Sequence, residues 1–199
     1  MAFQDRIHGS LIGIDLSPEM IQLAQQRNCY TQLLVGDIET TLMTLQPLED
    51  HHHPQSGCSS KLQHPKDTSS GHGHTLSGGG FDLILACDVF CYIGDLTGIF
   101  HLVSTRSLAL GGYFVFSTEL LLIPQQKKND DTTAAAGPPF CLHACARFAH
   151  RQDYIAQLAQ THGLTIVDMK IAPLRKNQGK DVMGLLVVLQ KNGGGDSTS

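Results

Sequence analysis

An acidic residue stands at the end of the first apolar run of the sequence, in a position that suits nucleotide binding. The run SLIGI ends at Asp15, and a second run, TQLLV, is followed by Gly36 and Asp37. At the carboxyl end of a strand in an open parallel sheet, a carboxylate can accept hydrogen bonds from both hydroxyl groups of a ribose. Asp15 therefore predicts a nucleotide-binding edge, although this position alone does not distinguish one nucleotide cofactor from another.

A second group of reactive side chains follows the third apolar run, FDLILACDV. Asp88, Cys91 and Tyr92 lie at its end or just after it, where ligands collect in such sheets. Asp88 and Tyr92 are candidates for catalysis by proton transfer, and either could instead line a pocket without moving a proton. Cys91 is interpreted as a packed thiol.

His150 is the next catalytic candidate, because a neutral imidazole near pH 7 can accept a substrate proton. It precedes a predicted helix, so a capping role is the competing interpretation. Arg147 and Arg151 flank it and could meet an anionic substrate, although exposed arginines are more often solvated.

The histidines and cysteines do not predict a metal site. One group stands in a Ser- and Gly-rich tract and consists of His51, His52, His53, His72 and His74. Ligands without fixed neighbours bind weakly and unselectively, so no functional site is expected there. A second group, Cys141, His143 and Cys145, has no evident fourth ligand.

The elements that would position these residues alternate between apolar runs and amphipathic segments, which is typical of a parallel α/β sheet. Strands are predicted at residues 10–15, 31–35 and 81–89, and a helix capped by Ser17 reaches about Arg27. The third strand is so continuously apolar that we expect it in the centre of the sheet.

The second half of the chain continues this alternation. A helix over 95–110 is predicted to end at Gly111 and Gly112, before a strand at 113–118. Another helix spans about 151–162. Strands at 164–172 and 182–190 are joined by the short polar segment RKNQGKD, which predicts an antiparallel hairpin.

Composition indicates one domain over residues 1–190 of the 199-residue chain. We expect three disordered parts: a His/Ser/Gly-rich insertion at 47–80, a loop at 124–139 and a tail at 191–199. The net charge of -4 argues against a general nucleic-acid binder and against attraction to an acidic membrane. No apolar run approaches the ~20 residues needed to cross a bilayer, and the start lacks a signal peptide. A cytoplasmic protein with reduced thiols is therefore expected, with an organelle possible if an upstream targeting segment is missing.

Four segments of the sequence, taken in this order, resemble segments of a known family. The sequence contains GIDLSPEMIQLAQQR, LLVGDIE, GGFDLILACDVFCYIGDL and LALGGYFVFSTE. Together they resemble the class I methyltransferases that use S-adenosylmethionine, specifically the type 11/12 methyltransferase domains. The segment from Phe148 to Lys191 is more weakly similar to the closing helix and hairpin of the same fold.

This resemblance implies a Rossmann-like, doubly wound, mostly parallel α/β sheet with a C-terminal antiparallel hairpin. It implies S-adenosyl-L-methionine as the cofactor and an unidentified small molecule or protein group as the methyl acceptor. Asp15 would hold the cofactor ribose, with Leu16 beside it, and Asp37 with Ile38 would face the adenine. Asp88 and the residues after it, including Tyr92, would lie beside the transferred methyl group. His150 matches a histidine near the substrate side.

The family's glycine-rich loop, of the type DxGxGxG, has no counterpart in this sequence. The chain begins just before the family's second strand, so we expect the first strand and its helix to be missing from an amino-terminally incomplete methyltransferase. Because that strand lies in the middle of the sheet, the strands at Leu11 and Leu83 would either close up or leave the sheet open.

Two other functions stay open at this point. A non-catalytic remnant or truncated binding module would keep the sheet without the cofactor, and the missing loop favours it. An NAD-dependent oxidoreductase is allowed by Asp15 alone, but DLSPEM, GGYFVF and the predicted hairpin argue against it.

Overall fold

The computed structural model describes residues 9–45, 80–122 and 137–193. The predicted insertion at 47–80, the loop at 124–139 and the tail at 191–199 lie largely outside these residues. Within them, no helix is long and apolar enough to cross a membrane.

The amino-terminal unit alternates strand and helix; its first three elements were predicted, and its second helix was not. It consists of β1 (Ile12–Asp15), α1 (Pro18–Gln25), β2 (Gln32–Val35) and α2 (Ile38–Thr44). The Ser17 hydroxyl caps α1 by accepting a hydrogen bond from the Met20 amide at 3.2 Å. The two strands pair in parallel, with Gly13 opposite Leu33, and form a separate two-stranded sheet.

The remaining strands form the main sheet. They are β3 (Phe81–Ala86), β4 (Leu108–Leu120), β5 (Phe140–Leu142), β6 (Phe148–His150), β7 (Leu164–Asn177) and β8 (Lys180–Lys191). The order is β5-β6-β4-β8-β7, and β3 also pairs with β4. Strand β4 runs parallel to β3 and β6 and antiparallel to β8. Since β8 takes one edge of β4, β3 and β6 follow each other along its opposite edge.

The predicted antiparallel hairpin at the C-terminal end of the fold is confirmed. Strands β7 and β8 pair antiparallel from Leu164 opposite Lys191 to Asn177 opposite Lys180. Both strands are longer than the sequence indicated, because Gly179 at φ 79° closes a tight turn between them.

Two helices and two short helical segments complete the fold: α3 (Thr97–Leu102), α4 (Gln152–Thr161), a 3-10 turn at Phe90–Tyr92 and a π-helical segment at Val103–Ser107. The core lies between the helices and β4 and β8. Its centre is a cluster of buried aromatic rings from Phe90, Phe100, Phe114 and Phe116.

The predicted helix over 95–110 is wrong in its second half. Helix α3 ends at Leu102, and after the π-helical segment β4 already begins at Leu108. Gly111 has φ 76°, and the pairing of β3 with β4 shifts register across this region. The bulge leaves Leu110 68% exposed, so its helical spacing from Leu102 and Val103 does not mark a buried helix face.

The central position predicted for the third strand is also wrong. Within the described residues β3 pairs with β4 alone, and β1 pairs with β2 alone, so each of these two strands has one edge without a paired strand. Leu83 and Leu85 lie on the same face of β3 and are 50% and 57% exposed, although the sequence of β3 is that of a buried strand.

Residues at the ends of two of these segments form hydrogen bonds with the described fold. The carbonyls of Gly137 and Pro139 accept hydrogen bonds from Arg151, at 2.5 Å from Nη1 and 3.0 Å from the amide. Lys191 belongs to β8, and its Nζ donates to the Leu108 carbonyl at 2.7 Å.

Candidate functional site

The nucleotide-binding edge predicted at Asp15 is formed by the carboxyl ends of β1 and β2. Asp15 pairs opposite Val35, and the Gly36 amide donates to the Asp15 carbonyl at 3.0 Å. Oδ1 of Asp15 accepts a hydrogen bond from the Ser17 amide at 2.8 Å, which orients the carboxylate at the start of α1. The next side chain, Leu16, is exposed.

Asp37 and Ile38 lie at the same edge, at the start of α2. Oδ1 of Asp37 caps the helix by accepting from the Thr40 amide at 2.8 Å. This hydrogen bond lowers the pKa of Asp37, so the carboxylate is charged at neutral pH. Ile38 is half-buried and packs against the main core. The structure thus brings Asp15, Leu16, Asp37 and Ile38 to one edge of the two-stranded sheet.

Asp88 follows the carboxyl end of β3 in a left-handed backbone conformation, with φ 58°. This conformation is uncommon for a residue other than glycine and is held by neighbouring contacts. The Asp88 amide donates to the Ser117 hydroxyl at 3.0 Å. The Cys91 thiol donates to the Asp88 carbonyl and to its Oδ1, both at 3.6 Å. Burial raises the pKa of Cys91 to about 11, so Cys91 is a packed, protonated thiol, as interpreted from the sequence.

Arg147 connects Asp88 and Tyr92 to the interior. Its Nη2 forms an ion pair with Oδ1 of Asp88, and its Nη1 donates to the Tyr92 hydroxyl at 2.9 Å. The guanidinium carbon lies 4.9 Å from the centre of the Tyr92 ring, within the range of a cation–π contact. The Nε of Arg147 donates to Oε1 of Glu119 at 2.7 Å. Two catalytic candidates therefore contact the same cation.

Glu119 is the anchor of this group, because its side chain is only 6% exposed. Its Oε1 also accepts from Arg175, at 3.1 Å from Nε and 2.8 Å from Nη2. Burial opposes the charge on Arg147, but the hydrogen bonds to Glu119 and Asp88 raise its pKa above that of a free arginine. The four charged side chains balance as two carboxylates and two guanidinium groups.

His150 lies beneath this group and is completely buried. Its Nδ1 lies 2.6 Å from the Thr118 hydroxyl, and its Nε2 lies 2.8 Å from the Gly94 carbonyl. A carbonyl can only accept, so Nε2 carries the proton and Nδ1 accepts from Thr118. Burial lowers the pKa of His150, which keeps the ring neutral at pH 7. Both ring nitrogens are engaged within the protein.

The remaining charged candidate, Arg151, has a different carboxylate partner from Arg147. Arg151 forms an ion pair with Asp153, with Nε 2.8 Å from Oδ1. The histidines at 51–53, 72 and 74 are outside the described residues. In the part of the chain that the structure describes, no group of three or more His, Cys, Asp or Glu side chains could hold a metal ion.

Glu119 and Arg175 were not predicted from the sequence. Glu119 ends the apolar run YFVFST, so the rule that selected Asp15 could have found it. Arg175 lies 56 positions from Glu119 in the polar part of the hairpin, where no local signal marks it.

A cavity of about 570 Å³ lies between the end of β4, α4 and β7. Its walls are mainly apolar, with Leu120, Leu122, Ile166 and Met169 among them, and Arg151 and Asp153 stand at its side. None of the predicted cofactor or catalytic residues lines it.

Solved structures share this fold. The chain is similar to a SAM-dependent methyltransferase from Methanosarcina mazei, with 13% identity, a TM-score of 0.51 and coverage of 92% of this chain and 82% of that chain. It is similar to an S-adenosylmethionine-dependent methyltransferase from Clostridium acetobutylicum, with 17% identity, a TM-score of 0.50 and coverage of 93% and 76%. A candidate methyltransferase of the same class from Listeria monocytogenes has 15% identity, a TM-score of 0.53 and coverage of 92% and 81%. The sequence matches no protein-family model and no curated protein.

The fold is therefore the Rossmann-like α/β fold of class I S-adenosylmethionine-dependent methyltransferases, which confirms the predicted fold class. At these identities the similarity establishes the fold, and function must be argued from the site.

Proposed function

We propose that this chain is an S-adenosylmethionine-dependent methyltransferase, with the cofactor at the edge of β1 and β2 and the acceptor beside Asp88 and Tyr92. The observation that carries the proposal is the β1–α1–β2 unit, which sets Asp15 and Asp37 at one carboxyl edge in a methyltransferase fold. The residues present suit the cofactor. An oriented carboxylate at Asp15 fits a ribose, and the apolar side chains of Leu16 and Ile38 fit an adenine face.

When bound, the cofactor supplies an activated methyl group on a sulfonium, so the protein's task is to orient the acceptor and remove its proton where needed. Orientation alone can supply roughly 7 to 11 kcal/mol of the barrier. Asp88 is the candidate to receive a proton, because its carboxylate side chain is 70% exposed and an acceptor can reach it. Tyr92 offers a hydroxyl and a ring face beside it.

In this proposal His150 positions the site. It connects Thr118, at the end of β4, to Gly94, which follows the 3-10 turn that carries Tyr92. A neutral, buried imidazole with two fixed hydrogen bonds holds these two segments together and has no nitrogen left for a substrate proton.

A non-catalytic binding module is the second candidate, and one observation favours it. Among the described strands, β1 and β3 each leave one edge unpaired, next to the place where the cofactor would lie. A site with this opening could have lost its affinity for the cofactor.

Calorimetric titration of the purified chain with S-adenosylmethionine tests the proposal, with NAD as the control ligand. We expect saturable binding of the sulfonium cofactor alone, and a loss of about tenfold or more in affinity in Asp15→Ala, because a charge-assisted hydrogen bond contributes about 1.5–3 kcal/mol. Asp82→Ala is the matched control, since Asp82 is an exposed acid at the amino end of β3, away from the carboxyl ends of the strands. Folded protein that releases no heat would contradict the proposal and support the binding module, and binding of NAD would indicate an oxidoreductase.

A further inference from the structure

The guanidinium of Arg147 occupies a place built from two carboxylates and an aromatic ring. Asp88, Glu119 and Tyr92 each receive a hydrogen bond from a different nitrogen of Arg147, and the ring of Tyr92 also lies against its guanidinium carbon. A cation that is bound by acids on two sides and by a π face on a third has the contacts that recognise an alkylammonium or guanidinium group.

Glu119 is paired with two arginines, although one cation is enough to balance its charge. It is nearly buried and therefore requires a cation, and Arg175 supplies one through two hydrogen bonds of its own. Departure of Arg147 would leave Glu119 paired with Arg175. It would also leave Asp88 without its cation, so the position would then carry a net negative charge.

Arg147 reaches this place from a short turn, and its side chain is 14% exposed. It lies at the end of the turn between β5 and β6, which are strands of three residues each, and Ala146 before it has φ 58°. Asp88 and Tyr92 are largely exposed on the outer side. The crevice bounded by Asp88, Glu119 and Arg147 has a free volume of only about 10 Å³, so a guest can enter only if the guanidinium leaves.

We propose that Asp88, Tyr92 and Glu119 form a subsite for a cationic group of a ligand, and that Arg147 fills this subsite until such a group displaces it. Resting on the proposed function, this assigns the acceptor to the amines or guanidines. Such an acceptor enters as a cation and must lose a proton before its nitrogen can attack, and Asp88 is the carboxylate that receives that proton.

Methylguanidinium chloride is the probe, with Arg147→Ala as the variant that empties the subsite. We expect saturable calorimetric binding that is about tenfold or more tighter in Arg147→Ala than in the wild type, because in the wild type the guest competes with a tethered guanidinium. The double variant Arg147→Ala, Asp88→Asn should lose about tenfold of that affinity. Arg175→Ala is the matched control, since it removes the other guanidinium on Glu119 and leaves Arg147 in place; it should bind no more tightly than the wild type.

Equal binding to the Arg147→Ala and Arg175→Ala variants, or no saturable binding to Arg147→Ala, would overturn the subsite. Tighter binding of acetate than of methylguanidinium by the wild type would show an anion site at the arginines instead.

If Arg147→Ala does not fold, the wild-type chain labelled with 15N-arginine provides the test. Methylguanidinium should shift the Nε–H resonance of Arg147 in a saturable manner and leave that of Arg151, which pairs with Asp153, unchanged. No shift of Arg147, or equal shifts of both arginines, would overturn the proposal. Guest binding without S-adenosylmethionine binding would refute the proposed function alone, and cofactor binding without guest binding would refute the subsite alone.

Discussion

The unit β1–α1–β2–α2 and the main sheet are built from similar elements, but they bury very different amounts of apolar surface. Within residues 9–45, Ile21 and Leu42 are the buried apolar side chains. Around β4 and β8, the core includes four packed aromatic rings and the fully buried Leu185, Val187 and Leu189. Burial of a large apolar side chain contributes roughly 1.5–3 kcal/mol, so the main sheet holds most of the stability.

This difference separates the two halves of the proposed site. The Asp88–Arg147–Glu119 group stands on the well-packed sheet, whereas Asp15 and Asp37 stand on the lightly packed unit. Lightly packed regions open at lower free energy than the core, and a ligand that binds the closed form stabilises them. We infer that packing holds the acceptor side in place with Arg147 bound to its carboxylates, and that the cofactor side gains order on binding.

The largest effect is expected from truncating the aromatic cluster. Phe116→Ala should lower the free energy of unfolding by about 3–5 kcal/mol, because it removes a ring that contacts Phe90, Phe100 and Phe114. Urea denaturation measures this change. Ile21→Ala, in α1, should instead leave the midpoint of the main transition almost unchanged and accelerate hydrogen exchange in β1 and β2. Equal losses of main-transition stability in both variants would show that the two regions unfold as one.

Two glycine substitutions compare the rigidity of the main sheet with that of its contact with the amino-terminal unit, and the expected change in stability is of intermediate size. A Cβ at Gly184, in β8, would lie 2.5 Å from the Thr118 carbonyl oxygen, a backbone atom with little freedom to move. Gly184→Ala should therefore cost about 1–3 kcal/mol in urea denaturation. A Cβ at Gly98, in α3, would meet only the tip of Glu39, which can turn away. Gly98→Ala should be neutral or slightly stabilising, because alanine favours a helix by up to about 1 kcal/mol. Equal costs for both would mean that the contact of α2 with α3 is as rigid as the core.

The smallest effect is a pH dependence confined to the main sheet. Burial lowers the pKa of His150 and of His162 in the folded state, whereas the unfolded residues titrate near ~6.5. Below that pH the unfolded chain binds more protons, so the free energy of unfolding should fall as the pH drops below about 6.5 and continue falling to the folded pKa.

Urea denaturation between pH 5 and pH 8 measures this slope, and His150→Gln should reduce it. Residues 9–45 contain no histidine, so local opening of β1 and β2, followed by hydrogen exchange and corrected for intrinsic rates, should not change over the same range. An unchanged slope in His150→Gln would show that burial of this ring is not coupled to folding.

Features coded by neighbouring residues could be predicted from the sequence. Ser17 with Pro18 begins α1, and the polar turn at Gly179 joins β7 to β8. Helix α2, which Asp37 caps, was not predicted. The carboxyl-edge positions of Asp15 and Asp37 follow from these elements, because parallel strands end at the same edge.

Features that depend on distant partners could not be predicted. The exposure of Leu83 and Leu85 depends on what packs on their face of the sheet, and the apolar sequence of β3 carries no information about that. The ion pairs of Arg147 join residues that are 28 and 59 positions apart. From the sequence, Arg147 could meet a substrate anion or, more commonly for an arginine, be solvated; in the structure, it is bound by the protein's own carboxylates.

The unpaired edges of β1 and β3 also affect how the protein behaves in concentrated solution. Each of these strands, within the described residues, presents a row of amide and carbonyl groups without a neighbouring strand, and Leu83 and Leu85 stand exposed on β3. Such a margin is a template for β-augmentation by any extended polypeptide, including another copy of the same chain. We therefore expect the protein to self-associate as its concentration rises. Ligands that cover these strand edges should reduce this self-association.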